Sequence, residues 1–349
     1  MRTMTGSDTR PPTLEQVANY AGVSRATVSR VINGVQTVDP ELRRTVERAI
    51  AATGYVPNLA ARSLVTRRTD SIALVVSEPE NRGYETPFLT RTFTDPYLGR
   101  VTAGAQEVLR PLGIHLVIFL ADPPAREHVL RYLRQGHVDG ALLISSHVDD
   151  PLPGQLVDLG VPCVLSCRPG RPVHTSFVDV DQRAGVRLAV DRLAGLGRRR
   201  IATITGPLDM PAAQDRLAGF RAAVAAHGQA DAPYVEGDFT RGGGERAART
   251  LLAEHPGVDG VFVANDLMAD GALRVFQEAG RRVPDDVAVI GFDDSTAALE
   301  CHPPLSTVRQ PVEEMAGEMA QLLLTRIREP GRSPRSVIFN PELILRASA

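Results

Sequence analysis

The chain has 349 residues, 43% of them apolar, with 39 basic and 41 acidic side chains and a formal charge of −2. That composition is ordinary for a globular protein of two or three compact units, and it excludes a chain that is a basic nucleic-acid binder along its whole length. Every basic residue other than histidine is arginine, so any phosphate contact must come from a planar guanidinium fork.

Residues 1–12 are polar, lack the apolar stretch of a secretion signal, and are expected to be disordered. Residues 13–33 predict two short helices. Thr13 caps the first and Gly22 ends it; Ser24 caps the second and Asn33-Gly34 ends that. A third helix follows Asp39-Pro40 and closes at Gly54. Residues 1–70 hold ten arginines against six acids, a basic head on an acidic body.

From Ser71 the texture becomes alternating strands and helices. Strands are predicted at 72–76, 114–119, 140–144, 161–165, 201–205, 260–263, 287–291 and 337–339. Helices are predicted at 101–109, 125–134, 184–193, 215–226, 245–254, 266–278 and 312–328. Two successive series of this kind suggest two parallel-sheet subdomains. Residues 78–94 read as one long loop.

The most specific string is Thr13-Leu-Glu-Gln-Val-Ala-Asn-Tyr-Ala-Gly-Val-Ser-Arg-Ala-Thr-Val-Ser-Arg-Val-Ile-Asn33. It has a small residue for close helix packing (Ala18), a turn glycine (Gly22) and apolar anchors at Val17, Val23 and Val28. The outer face of its second helix holds Ser24, Arg25, Ala26, Thr27, Ser29, Arg30 and Asn33. These features describe a DNA-reading helix-turn-helix, and the full string resembles the LacI-family headpiece. The resemblance implies that the second helix lies in the major groove. Arg25 and Ala26 would then face base edges, while Thr27, Ser29, Arg30 and Asn33 mix phosphate and base contacts. Arg30 alternatively forms a salt bridge with an acid on a neighbouring helix.

The next string, Tyr55-Val-Pro-Asn-Leu-Ala-Ala-Arg-Ser-Leu64, resembles the family's hinge helix. By that resemblance Leu64 wedges a central base step, Ala61 sits at the contact between paired hinge helices, and Asn58 lies near the backbone. The alternative is a core helix whose Leu64 faces protein.

In the body, Asp215-Arg216-Leu-Ala-Gly-Phe220, Val263-Ala-Asn265-Asp266 and Gly291-Phe-Asp293-Asp294 resemble three elements of the family's sensing domain. They imply Arg216, Asn265 and Asp293 as effector contacts at strand ends. Taken singly, each could equally be a capping or salt-bridging residue. Phe93-Thr-Asp-Pro-Tyr97 is a looser match, contributing Tyr97. Arg168 is carried over from a family Asp-Arg pair that reads Cys167-Arg168 here, so the usual carboxylate is missing. Phe177 and Asp181 are weaker candidates.

The resemblance implies an α-helical helix-turn-helix headpiece (13–57), a hinge helix and linker (58–70), and an α/β effector-binding domain (71–349). That domain would be two-lobed, like a type I periplasmic binding protein, with parallel sheets. One lobe is expected over about 71–179 and 310–330, the other over about 180–309 and 331–349. The implied molecule is a cytoplasmic homodimer on a palindromic double-stranded DNA operator, with a small-molecule effector, read as a carbohydrate, between the lobes. No trailing Leu heptad suggests a tetramer.

No cofactor, metal or membrane partner is expected: Cys163, Cys167 and Cys301 show no CxxC spacing, and no run of about 18 apolar residues occurs. Gly242-Gly-Gly244 lacks the rest of a phosphate-binding loop and reads as a flexible helix start. Glu313, Glu314 and Glu318 read as a solvated face. A solute-binding protein or an α/β enzyme with an accessory DNA-binding domain are the rival readings, and no catalytic motif supports the second.

Overall fold

A computed structural model describes residues 11–35, 37–56, 68–78, 87–144 and 147–349. The expected hinge helix, with Asn58, Ala61 and Leu64, lies outside the described residues, as does most of the polar start. The chain divides into two units, Met1–Thr69 and Asp70–Ala349.

The first unit is built from three helices whose ends are fixed by local hydrogen bonds. In α1 (Leu14–Ala21) the Thr13 hydroxyl accepts from Gln16 N–H at 3.3 Å, while Thr13 N–H donates to Gln16 Oε1 at 2.7 Å. This reciprocal box satisfies two otherwise orphaned donors. Gly22 ends the helix in left-handed backbone, φ 66°, which glycine adopts without penalty. Ser24 caps α2 (Arg25–Ile32), and Asp39 caps α3 (Pro40–Thr53) with Pro40 in the first turn. Val17, Ala18, Val28, Val31, Val46 and Ala49 form the core. All six are small or β-branched, so the helices approach closely.

The second unit opens with β1 (Ser71–Ser77), α4 (Phe88–Thr94), α5 (Pro96–Leu109), β2 (His115–Ala121), α6 (Pro123–Arg134) and β3 (Gly140–Ile144). Next come α7 (Leu152–Asp158), β4 (Cys163–Ser166), β5 (Ser176–Val180), α8 (Gln182–Gly195), β6 (Ile201–Thr205) and α9 (Pro211–Ala226). Then follow β7 (Tyr234–Glu236), α10 (Arg241–Glu254), β8 (Gly260–Val263), α11 (Asp266–Glu278), β9 (Ala288–Asp293) and α12 (Thr296–Glu300). The last elements are β10 (Ser306–Arg309), α13 (Val312–Arg328), β11 (Ser336–Phe339) and β12 (Glu342–Ile344).

Two six-stranded sheets result, ordered β11-β5-β4-β3-β1-β2 and β12-β10-β9-β8-β6-β7. All pairings are parallel except β10 with β12. Parallel strands are covered on both faces, and β1 is buried from Ile72 to Ser77. The chain crosses between sheets three times: β5 to α8, β10 to α13, and β11 to β12. Phe220, Phe262, Phe276 and Phe292 are the largest fully buried side chains.

Three expectations change. The stretch after residue 331 does not all belong to the second lobe: β11 pairs with β5 in the first sheet, Ser336 opposite Phe177, and only β12 joins the second. The long loop is shortened by α4, whose Leu89 and Phe93 stay exposed, so no apolar stripe announced it. The glycine run is not a loose helix start, because Gly244 is buried and a Cβ there would meet the Met268 carbonyl at 2.2 Å.

Phe220 anchors α9 in the core. Phe220→Ala is expected to remove about 3–5 kcal/mol of stability, read as a lower denaturation midpoint of the second unit with the headpiece helices intact by circular dichroism.

Candidate functional site

In the headpiece, Ser24, Arg25, Ala26 and Arg30 are exposed, and Thr27, Ser29 and Asn33 are half-buried. They share the outer side of α2 because Val28 and Val31 take the inner side. Ser24 Oγ accepts from Thr27 N–H at 3.1 Å and lies 2.9 Å from Thr27 Oγ1, so part of the capping set is committed to the helix start. Asn33 Nδ2 donates to Ser29 Oγ at 3.3 Å. The ion pair expected as the alternative role of Arg30 occurs at Arg25, 3.9 Å from Glu15, with both side chains about two-thirds exposed. Such a pair is worth about 0–1 kcal/mol and leaves Arg25 free to exchange partners.

In the body, a cavity of about 90 Å³ opens where strand ends of both sheets face one another. Tyr97, Arg216, Asn265 and Asp293 all line it. Met210, Pro211, Ala212, Cys167 and Gln310 complete it, and Asp95, Tyr97, Met210 and Phe239 continue into an adjoining cavity of about 320 Å³. Space of that size holds a small organic ligand.

Each polar group is fixed by the element that carries it. Tyr97 sits in the first turn of α5, where its N–H donates to the capping Asp95 carboxylate at 2.9 Å. Its hydroxyl lies 2.6 Å from Ser166 Oγ at the end of β4, and burial raises its pKa, so it remains a neutral donor and acceptor. The Arg216 guanidinium stacks 3.7 Å above the Phe292 ring and donates from Nε to Gln182 Oε1 at 2.8 Å and from Nη1 to the Ala264 carbonyl. Its Nη2 stands 3.9 Å from Asp293 Oδ1. Asn265 caps α11: Oδ1 accepts from Met268 N–H at 2.9 Å, and Nδ2 donates to the Phe239 carbonyl at 3.0 Å.

Asp293 ends β9 in backbone with φ 109°, and Asp294 follows at 51°. Asp293 Oδ1 accepts from Gln310 Nε2 at 2.6 Å. Burial, reinforced by the nearby carboxylates Asp266 and Asp95, pushes its pKa up to about 8 against the opposing pull of Arg216 and Arg100. Asp266 lies deeper, raised to about 6 by burial even though Thr307 and Ser295 donate to it. Asp95 is likewise raised by burial.

Arg168 is not among the lining residues. Cys167 turns the chain through left-handed backbone, φ 69°, and takes the lining position itself. Arg168 instead donates from Nε to Asp215 on α9 and from its backbone N–H to Asp179 at 3.0 Å. Burial also raises the Cys167 thiol, which suppresses the thiolate a nucleophile would need. Among the described residues no group of His, Cys, Asp and Glu could hold a metal ion, and no helix is long and apolar enough to cross a membrane. Phe177 and Asp181 belong to β5 and the cap of α8, not to the lining.

Sequence reasoning passed over Ser166, Met210, Phe239 and Gln310. Gln310-Pro311 before a helix was a usable signal. Phe239, in a loop with φ 63°, gave none.

Residues 13–58 match the lacI family of bacterial regulatory proteins, and residues 190–349 match the periplasmic binding protein-like domain. The HTH-type transcriptional regulator CelR of Thermobifida fusca is 47% identical over 344 residues, which span 97% of this chain and 98% of that protein. The chain belongs to the LacI family. The ribose operon repressor of Escherichia coli (strain K12) is 34% identical over 343 residues, 97% of this chain and 99% of its own. Two solved structures share the architecture. A transcriptional regulator CelR–cellobiose complex has a TM-score of 0.75 and 45% identity, covering 97% of this chain and 100% of its own. The Lac repressor dimer bound to operator and the anti-inducer ONPF has a TM-score of 0.82 and 26% identity, covering 97% and 99%. This LacI-family member is thus a DNA-binding transcription regulator with a helix-turn-helix headpiece and a two-sheet, periplasmic-binding-protein-like body.

For a ligand whose hydroxyls donate to the Asp293 carboxylate, the ionised form binds better, so affinity is expected to rise with pH through about 8. Calorimetric titrations at about pH 6.5 and about pH 9.5 should show that rise in the native protein and none in Asp293→Asn.

Proposed function

We propose that this regulator binds a palindromic operator as a homodimer in the cytoplasm, represses transcription there, and is governed by a neutral sugar held at the Asp293 cavity. The observation that carries the sugar reading is the polar set itself. Asp95, Asp293, Tyr97, Asn265 and Arg216 surround a space adjoining an extension whose walls mix apolar side chains such as Phe88 and Leu98 with polar ones such as Glu78, Arg91 and Asp238. Carboxyls, a phenol, an amide and a guanidinium side by side suit paired hydroxyls, which can donate and accept at once. Phe239, between the two spaces, offers a face for a sugar ring.

A ligand of two rings fits the adjoining 320 Å³ extension, and the related CelR complex contains cellobiose. On this reading the residues that read the operator are Ser24, Arg25, Ala26, Thr27, Ser29, Arg30 and Asn33, with Asn58, Ala61 and Leu64 contributed by the hinge. The effector contacts are Tyr97, Arg216, Asn265 and Asp293. No turnover is proposed for the ligand.

Operators selected from random duplexes provide the test. Arg25→Ala is expected to relax base preference at one position per half-site, by about 1–3 kcal/mol of discrimination; an unchanged selected sequence would refute the assignment. Cellobiose is expected to change affinity for the selected operator by about 5–150-fold, measured by fluorescence anisotropy. Ribose and a purine base serve as comparators, and a response confined to either of them would replace the disaccharide reading.

A further inference from the structure

Arg100, on α5, makes four hydrogen bonds to three different places. Nε and Nη2 grip the Glu313 carboxylate at 2.7 and 2.8 Å. Nη1 donates to the Asp293 carbonyl at 2.8 Å, and Nη2 also reaches the Gln310 carbonyl at 3.3 Å. Helix α5 packs with α13 on the first sheet, whereas Asp293 ends β9 of the second, and Gln310 lies in the crossover between them. One side chain therefore ties the first lobe to a turn of the second. Glu313 is accordingly not part of a free solvated face.

The tie acts on a strained turn that its own lobe also holds, through Thr307 on the Asp294 N–H and Asp266 on the Ser295 N–H. Asp293 and Asp294 both occupy backbone that side chains rarely adopt, and such geometry persists only where surrounding contacts over-determine it. Asp294 is held from its own lobe by Arg309 and Arg346 at 2.8 and 2.6 Å. The Asp293 carbonyl is held from the other lobe, by Arg100. Relaxation of both φ angles, which moves the Asp293 Cα as well as the 293–294 peptide, would relieve the backbone and displace the Asp293 carboxyl relative to the cavity.

We propose that Arg100 is a positioning residue for the effector site: it clamps the Asp293 turn across the two lobes, so that the carboxyl faces the ligand only while the lobes keep this arrangement. Arg100 need not touch the ligand to act in this way. Lobe displacement stretches the Arg100–Asp293 contact, and loss of that contact frees the turn. The effector consequence rests on the sugar reading above; the clamp itself does not.

Hydrogen exchange read by mass spectrometry on the ligand-free full-length protein tests the clamp. Arg100→Met keeps the aliphatic stem and removes every donor, and is expected to speed exchange in the segment containing residues 293–295. Glu313→Gln leaves an acceptor for Arg100 and both carbonyl contacts, and is expected to exchange there like the native protein. Equal acceleration in the two variants would mean that the α5–α13 tie is what counts, and native-like exchange in Arg100→Met would mean that the turn needs no clamp; either result overturns the proposal. Should Arg100→Met fail to fold, Arg100→Lys, which cannot grip Glu313 and both carbonyls together, must still speed exchange at the turn or the proposal falls.

With cellobiose as probe, Arg100→Met is expected to weaken binding by about tenfold or more, the scale of a lost charge-assisted contact. The pH dependence of binding should also move to higher pH, because Arg100 opposes protonation of Asp293. Native-like affinity and pH dependence would overturn the functional half. If the native protein does not bind cellobiose, the sugar reading fails, while the exchange measurement still decides the clamp.

Discussion

The Asp293–Asp294 turn is the constraint on which the sensing half of this protein depends. Each residue in such backbone costs about 1–3 kcal/mol, and that cost places one carboxyl in the cavity and the next in an ion-pair network. Burial alone would raise Asp294, but hydrogen bonds from Arg346 and Arg309 overcome it and hold its pKa below the ordinary value. Its neighbour has no arginine as close among the described residues: Asp293 accepts from neutral Gln310 at 2.6 Å, meets Arg216 only at 3.9 Å and is pushed the other way. Two adjacent aspartates thus acquire different chemistry from their surroundings, one fixed as a structural anion and one poised to change protonation as its surroundings change.

Much of the architecture was legible because burial imposes sequence pattern. The continuous apolar run of β1 marks a strand covered on both faces, and the caps Thr13, Ser24 and Asp39 mark where headpiece helices begin. β5 and β10 escaped notice for the opposite reason. Ser306 and Thr307 are fully buried, yet their hydroxyls donate to the Ala349 carbonyl and to Asp266 in place of packing as apolar groups. A polar strand inside a protein is invisible to hydropathy.

The cavity was legible to a similar extent. Tyr97, Arg216, Asn265 and Asp293 lie at the starts of helices or the ends of strands, where an open α/β sheet collects ligands, and the fold brings the four together. Arg168 was misplaced because the left-handed turn at Cys167 cannot be read from a Cys-Arg pair. Arg100 was missed because its importance lies in contacts about two hundred residues apart, such as that to Glu313, which no local pattern encodes.

The position of β11 bears on how the polypeptide is made. Synthesis delivers the headpiece first, but the first sheet waits for Ser336–Phe339 to complete its edge beside β5. Until then a growing chain presents β5 as an open border of unpaired amides and carbonyls, a template for misassembly with other copies. Neither lobe is a contiguous stretch of chain, so neither sheet is complete before its last strand, β11 or β12, has been made. Loss of Ser336–Phe339 would leave the β5 edge bare, the kind of border on which strands of other chains can pair.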